Sequence, residues 1–445
     1  MKILFISLGC DKNLADSEEM LGFLTGSGHE IVDSEDDADA IVVNTCCFIH
    51  DAKEESINTI LEMAEYKKTG KCKALIVTGC MAQRYKEEIT QEIPEVDAVL
   101  GTTSYADIVK ALNEAQAGHV FQEFRDINEL PEDSGRRVLT TGGHFGYLKI
   151  AEGCDKHCTY CIIPSLRGKF RSVPEERLLA QAEYMAEQGV KELIIVAQET
   201  TVYGTDLYGK KTLHILLRKL CQIRGIRWIR VLYCYPEEIY DELIQVMKEE
   251  KKICHYLDLP IQHASDRILR RMGRRTTRKQ LTDIITKLRR EIPDIVLRTS
   301  LITGFPGETQ EDHEELMEFV DEMEFDRLGV FTYSPEEGTP AESMEGQVPE
   351  EVKEDRRDEI MSLQQEISLD KGSERIGQEL LVMIEGKVSG ESAYIGRTYA
   401  DAPKVDGYIF VQTGELLMTG DFARVRVTGA LEYDLIGELA DEYTE

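Results

Sequence analysis

EGCDKHCTYCIIP, residues 152–164, sets three cysteines, Cys154, Cys158 and Cys161, within eight positions. A closed structural zinc site needs four ligands. His157 lies inside the loop and would have to fold back past its neighbours to be the fourth. A four-iron cubane differs: three cysteines serve three irons and leave the fourth open to something that is not protein. The stretch follows YLKIAEG, an apolar run that reads as a strand, so the loop is expected at a strand's C-terminal end.

Outward from there, ELIIVAQET, WIRVLYCYP, YLDLPIQ, VLRTSLITGFPG and LGVFTYSP are further apolar runs, with helical stretches between them. Residues 140–370 therefore read as six strand–helix units, a complete or partial barrel of (βα)6 type. The charged helix PEEVKEDRRDEIMSLQQEISLDKG closes it. Ligands in such folds sit at the C-terminal strand ends. Gln198, beside Glu199, ends the second strand and Gln262 the fourth; Arg298 lies on the fifth, and Gly304 follows it in GFPGE. Polar groups there face the mouth, while Gly304 and Gly307 can equally supply turn geometry alone.

Residues 1–118 show a second alternation. KILFISLGC, DAIVVNTC, KALIVTGC and VDAVLGT read as buried strands between helices, the pattern of a parallel sheet covered on both faces, with flavodoxin-like as the nearest class. The first three strands end in Cys10, Cys46 and Cys80, separated by 36 and 34 residues, each about one strand–helix unit. Strand ends on one edge converge, and open α/β sheets bind ligands at that edge. Three thiolates there make a second site for an iron–sulfur cluster with an open iron; the alternative is three buried cysteines. Residues 119–139 are polar and aperiodic, a linker. From 373 to 441 short strands with Gly-rich turns (LLVMIEG, YIGRT, YIFVQ, FARVRVTGALEYDLIGEL) predict a small antiparallel barrel.

The chain has 445 residues, which at roughly 150 per domain gives about three domains. Hydrophobic content of 42% places it among globular proteins. No run reaches the roughly 18 apolar residues of a membrane helix, and MKILFISLGCDKN lacks the length and cleavage region of a signal peptide. A cytoplasmic location is expected. Eleven cysteines in a reducing compartment do not make a disulfide frame; Cys47, Cys72, Cys221, Cys234 and Cys254 have no metal spacing and read as buried small hydrophobes. The net charge of −31 repels phosphate backbones and attracts basic partners, besides conferring solubility.

The C-x3-C-x2-C spacing with an aromatic, Tyr160, before the last cysteine resembles the radical S-adenosylmethionine (SAM) enzymes. That resemblance implies that SAM chelates the open iron of a 4Fe–4S cluster through its amino and carboxylate groups. An electron from the cluster then cleaves it to a 5′-deoxyadenosyl radical, with Tyr160, Gln198, Gln262, Arg298 and Gly304 as SAM contacts. SLGCDKNLADSE, NTCCFI, GCMAQRY and GCDKHCTYCIIPSLRGKFRS extend the likeness over essentially the whole chain, to the methylthiotransferase family. The family joins an N-terminal three-cysteine domain, a radical SAM barrel and a C-terminal TRAM domain. It implies a second 4Fe–4S cluster on Cys10, Cys46 and Cys80 that carries the sulfur, one SAM to methylate it, another to make the radical, and a reducing electron donor.

Family members modify either tRNA adenosine or an aspartate of ribosomal protein S-12. GRTYADAPKVDG, residues 396–407, is similar to the TRAM signature of the ribosomal-protein branch. Lys404 and Val405 depart from the usual acid and Ile, while Asp401, Ala402, Pro403, Asp406 and Gly407 are intact. From residue 373 onward there are 14 Asp/Glu against 6 Lys/Arg, where a tRNA-binding module should be basic. The expected reaction is methylthiolation at the β-carbon of the S-12 aspartate. DRILRRMGRRTTRK, residues 266–279, has seven basic residues and keeps tRNA as the alternative. An iron–sulfur carrier without catalysis is the alternative of another class.

Overall fold

The computed structural model describes residues 1–444. Its first sheet is wholly parallel: β1 (Lys2–Ser7), β2 (Glu30–Val32), β3 (Ala40–Thr45), β4 (Ala74–Gly79), β5 (Ala98–Leu100) and β6 (Phe121–Glu123), in the order β2-β1-β3-β4-β5-β6. The chain steps from β1 out to β2, then crosses back to β3. This is the flavodoxin-like order, and its crevice opens between β1 and β3. Every residue of β3 and β4 is buried. Ile41 and Val43 face one helical layer, Ala40 and Val42 the other, so the sequence shows unbroken apolar runs instead of alternation. β6 falls inside the stretch expected to be a linker. It is a half-buried edge strand of three residues, too short to print a period on the sequence.

The second sheet contains β7 (Phe145–Lys149), β10 (Glu192–Val196), β11 (Trp228–Val231), β12 (Ile253–Asp258), β13 (Val296–Thr303) and β14 (Arg327–Thr332). A short antiparallel ribbon of β8 (Ala151–Glu152) and β9 (Arg171–Ser172) follows β7. The six main strands are parallel in the order β14-β13-β12-β11-β10-β7, an open partial barrel. Helices pack outside, where Leu193, Ile195, Ile229 and Val231 meet Leu178, Leu217 and Leu288. Two of these helices begin with capping boxes, Thr277 with Gln280 and Thr309 with Asp312, which satisfy backbone donors at the helix start.

The third domain is a closed barrel of β15 (Glu379–Lys387), β16 (Ala393–Arg397), β17 (Ile409–Gln412), β18 (Phe422–Ala430) and β19 (Leu435–Thr444). It is not purely antiparallel: β17 and β19 pair in parallel. Five strands cannot alternate direction all the way round a closed ring, so one parallel pair is required.

This barrel plugs the concave face of the open sheet. Phe145, Tyr147, Ile194, Val196, Trp228 and Tyr256 pack against Met383, Ala400 and Phe422, and Trp228 meets Phe422 edge-on at 4.8 Å. At the joint Glu192 accepts from Arg230 Nε at 2.8 Å and from Arg397 Nη2 at 2.7 Å, all three side chains being fully buried. Burial works against the Glu192 carboxylate, and Arg397 and Arg230 overcome it, holding its pKa below the usual range. The GRTYADAPKVDG signature belongs to the same joint. Asp401 accepts from Arg327, and Asp406 from the Tyr256 hydroxyl at 2.7 Å. The two departing positions, Lys404 and Val405, are exposed and outside these contacts.

Candidate active site

The radical loop is pinned at both ends. The β8–β9 ribbon closes its base, and the Cys154 amide donates to Gly168 O at 3.1 Å. Thr159 ties its tip to the end of the short helix after β12 (Asp266–Arg271): its amide donates to Met272 O at 2.9 Å and its hydroxyl to Arg271 O at 2.9 Å. Cys154 and Cys158 are buried and Cys161 is half-buried, whereas His157 is exposed. The Lys156 amide points at Cys154 Sγ from 3.4 Å, and the Tyr235 hydroxyl lies 3.8 Å from Cys158 Sγ. Burial pushes the Cys154 thiol up to about 11 and Cys161 to about 12, so a metal entering here must displace protons.

Cys10, Cys46 and Cys80 follow β1, β3 and β4, three adjacent strands. Gly9 has φ +85°, and a Cβ on it would lie 2.8 Å from Cys46 Sγ. Only glycine lets the first cysteine loop come this close to the second. Burial, then the neighbouring Cys80, raises Cys46 to about 12. Burial also raises Cys80, against the pull of the Arg167 guanidinium, whose Nη2 stands 3.6 Å from its Sγ. Among the described residues no three His, Cys, Asp or Glu side chains converge on a single ion. In an iron–sulfur cubane each thiolate meets a different iron, so three thiols with a cation or an amide donor beside them fit that group without converging on one point. Cys47, Cys72, Cys221, Cys234 and Cys254 are all buried.

The two triads face each other. Arg167, six residues past Cys161, crosses to the first domain, where it donates to Asp16 at 2.6 Å and to Asn13 at 3.1 Å. Arg84, from the first domain, donates to Glu336 Oε2 at 3.3 Å and to Glu337 O at 2.7 Å, in the loop after β14. The Lys12 ammonium sits 3.1 Å from the Tyr233 ring centroid at the end of β11. The carboxyl edge of the first sheet thus lies over the mouth of the second.

The remaining candidates divide. Gln198 Oε1 is buried without a partner, as is Glu199 Oε2, and burial lifts the Glu199 carboxyl to about 7. Gln262 bridges to β13 with φ +71°, at the mouth. Tyr160 is half-buried beside Phe305 and Tyr333. Arg298 has a different neighbourhood from the one expected. It is the third residue of β13, and its guanidinium pairs with Asp258 at 2.8 Å and with Asp406 of the third domain at 3.4 Å. Gly304 carries φ +71°, and a Cβ there would run into the Lys353 side chain of the closing helix; it serves turn geometry and packing. Arg274 was hidden in the basic segment. Its side chain is 1% exposed, its guanidinium stacks 4.4 Å from the Tyr235 ring, and its Nε and Nη1 have no partner. Lys12, Arg167, Tyr233 and Tyr235 also escaped sequence reading. Lys12 and Arg167 stand inside the quoted cysteine motifs, and both tyrosines stand at the C-terminal end of the quoted run WIRVLYCYP, the same kind of position that singled out Gln198 and Gln262.

Three family models match: the Uncharacterized protein family UPF0004 over residues 2–101, the Radical SAM superfamily over 148–320 and the TRAM domain over 376–440. A protein of Lachnoclostridium phytofermentans named ribosomal protein uS12 methylthiotransferase RimO is 65% identical, over 98% of this chain and 99% of its own. Proteins of the same name from Pelotomaculum thermopropionicum (52%, 98% of this chain and 99% of theirs) and Clostridium botulinum (50%, 100% and 99%) match likewise. The chain belongs to the RimO family of radical SAM methylthiotransferases. It is a radical SAM enzyme of that class. Among solved structures, the radical SAM methyltransferase TsrM from Kitasatospora setae shares the fold at a TM-score of 0.55 and 14% identity, covering 76% of each chain. OxsB, a cobalamin-dependent SAM radical enzyme, aligns at 0.51 and 15%, over 82% of this chain and 56% of its own.

Proposed function

We propose that this enzyme adds a methylthio group to the β-carbon of an aspartate in ribosomal protein uS12. The full-length likeness to relatives of that name carries the reading. The fate of the basic segment supports it. Arg267 pairs with Asp312, Arg278 with Glu318 and Glu322, and Lys279 with Asp283; Arg271 donates to the carbonyls of Pro306 and Glu345, and Arg274 is buried. Only Arg270 and Arg275 of the seven are both exposed and outside these contacts, too few for the basic surface a tRNA needs.

Cys154, Cys158 and Cys161 would hold the radical-generating cluster, and Cys10, Cys46 and Cys80 the auxiliary one. When bound, these groups and SAM supply one-electron chemistry and the sulfur to be inserted. The chain's own residues do the positioning. Arg274 offers two unpaired donors for a carboxylate, and Gln198 and Glu199 offer polar atoms at the mouth. Tyr235 walls the loop, and Arg167 fixes the distance between the two triads. Stacked domains exclude water from the space between them, which protects a reactive intermediate. The acidic surface speeds encounter with a basic ribosomal protein. A cytoplasmic site of action, an unmodified small subunit or free uS12 as substrate, and a separate electron donor complete the proposal. In an anaerobic turnover assay with reconstituted enzyme, SAM, reductant and sulfide, mass spectrometry should find one added methylthio group on uS12 and none on unmodified tRNA. The reverse result would overturn the substrate.

A further inference from the structure

Between the triads, the chain holds one of its own carboxylates in a built cradle. Asp11 Oδ1 lies 3.1 Å from Lys12 Nζ on one side and accepts from the Tyr233 hydroxyl at 3.1 Å on the other. The pair is nearly buried, with side-chain exposures of 9% for Lys12 and 10% for Asp11. Tyr233 adopts φ +59°, a left-handed conformation that a bulky residue rarely takes and that concentrates at functional sites. It is held there from both sides, its amide donating to Asp258 at 3.1 Å and its carbonyl accepting from Thr200 at 3.1 Å. The cradle borders both centres. Lys12 is two residues from Cys10, and Tyr233 is two residues from Tyr235, which touches Cys158.

Of the other cations nearby, Arg274 is set against Tyr235, on the Cys158 side of the mouth, with Nε and Nη1 unpartnered; two more are committed. Arg167 is saturated by Asp16 and Asn13, and Lys156 is tied to Glu238. Lys12 has as its acid partner Asp11, its chain neighbour and the first residue of a helix.

We propose that Lys12 and Tyr233 receive the side-chain carboxylate of the substrate aspartate, and that Asp11 holds its place until substrate arrives. This rests on the aspartate reading above. Fixing the carboxylate fixes the β-carbon one bond away, the atom from which hydrogen must be taken. An ammonium and a phenol hydroxyl together prefer a carboxylate over an amide of the same shape, because the charge-assisted bond is lost with the amide.

The test uses reconstituted holoenzyme and two peptides spanning the modified loop of uS12, one with the target aspartate and one with asparagine there. For the wild type, the asparagine peptide should inhibit at least about tenfold more weakly than the aspartate peptide binds, as loss of a charge-assisted bond predicts. Lys12→Met should raise KM for the aspartate peptide about tenfold and leave inhibition by the asparagine peptide as it was. Asp11→Ala should lower that KM and Tyr233→Phe raise it; a merely structural role gives no such opposition of sign. If Lys12→Met discriminates as the wild type does, with its iron content intact, the proposal fails. If Lys12→Met loses iron, the opposed shifts of Asp11→Ala and Tyr233→Phe decide it, and shifts in the same direction overturn it. A wild type that modifies tRNA and neither peptide would instead sink the aspartate reading itself.

Discussion

Glu199 shows how much one side chain's surroundings decide. Its carboxyl lies at the end of β10 with one oxygen bonded to Thr201 and the other without a partner, and burial lifts its pKa from 4.5 to about 7. Between those values the folded protein keeps a proton that the unfolded chain has released. Stability therefore falls as pH rises through this window, by about 3 kcal/mol for this group alone. Thermal unfolding from pH 4.5 to 7.5 should show that slope, and Glu199→Gln should flatten it. An unchanged slope in the variant would assign it elsewhere. Cys10, Cys46, Cys80, Cys154, Cys158 and Cys161 stood out as candidates because their spacing set them apart from the other five cysteines. Arg298 was not legible. Its strand position is visible in the sequence, but the partner that occupies it, Asp406, is 108 residues away.

At the scale of elements, the turns leaving β1, β3 and β4 build the second thiol triad. The Gly9 turn is the one that presses directly on a cysteine, since an added methyl would meet Cys46 at 2.6–2.8 Å. Gly9→Ala combines that clash with a left-handed backbone costing about 1–2 kcal/mol. The variant should lose the iron of the auxiliary cluster and keep that of the radical cluster, as Mössbauer or EPR spectra of reconstituted protein would resolve. Retention of both clusters would mean that the loop relaxes freely. The short strands β2 and β6 belong to this scale too. They are three residues long, held by one neighbour each, and carry no periodicity to read.

For the whole molecule, the decisive joint is the third domain seated in the concave face of the partial barrel. Glu192 stands between two fully buried arginines, one from each side of the joint. Removing one partner of such a group strands a buried charge, at a cost of about 3–5 kcal/mol. Arg397→Met should lower the urea midpoint accordingly, and limited proteolysis should then release the C-terminal barrel. An unchanged midpoint would show that the apolar packing of Trp228 on Phe422 is sufficient by itself. The joint also gives the GRTYADAPKVDG motif a structural role: Asp401 and Asp406 bind Arg327, Arg298 and Tyr256 of the partial barrel.

The two parallel sheets and the C-terminal barrel were determined by the sequence itself, and the six cysteines stand out in it as candidates, because each rests on local periodicity or on spacing within one strand–helix unit. The tertiary structure alone decided that the two thiol triads face each other, that five of the seven cations in the basic segment are paired or buried, and that Lys12, Tyr233 and Arg274 gather at the same mouth. These are contacts between residues tens to hundreds of positions apart. A chain records such contacts only in the complementarity of distant surfaces, and no window along it contains both partners.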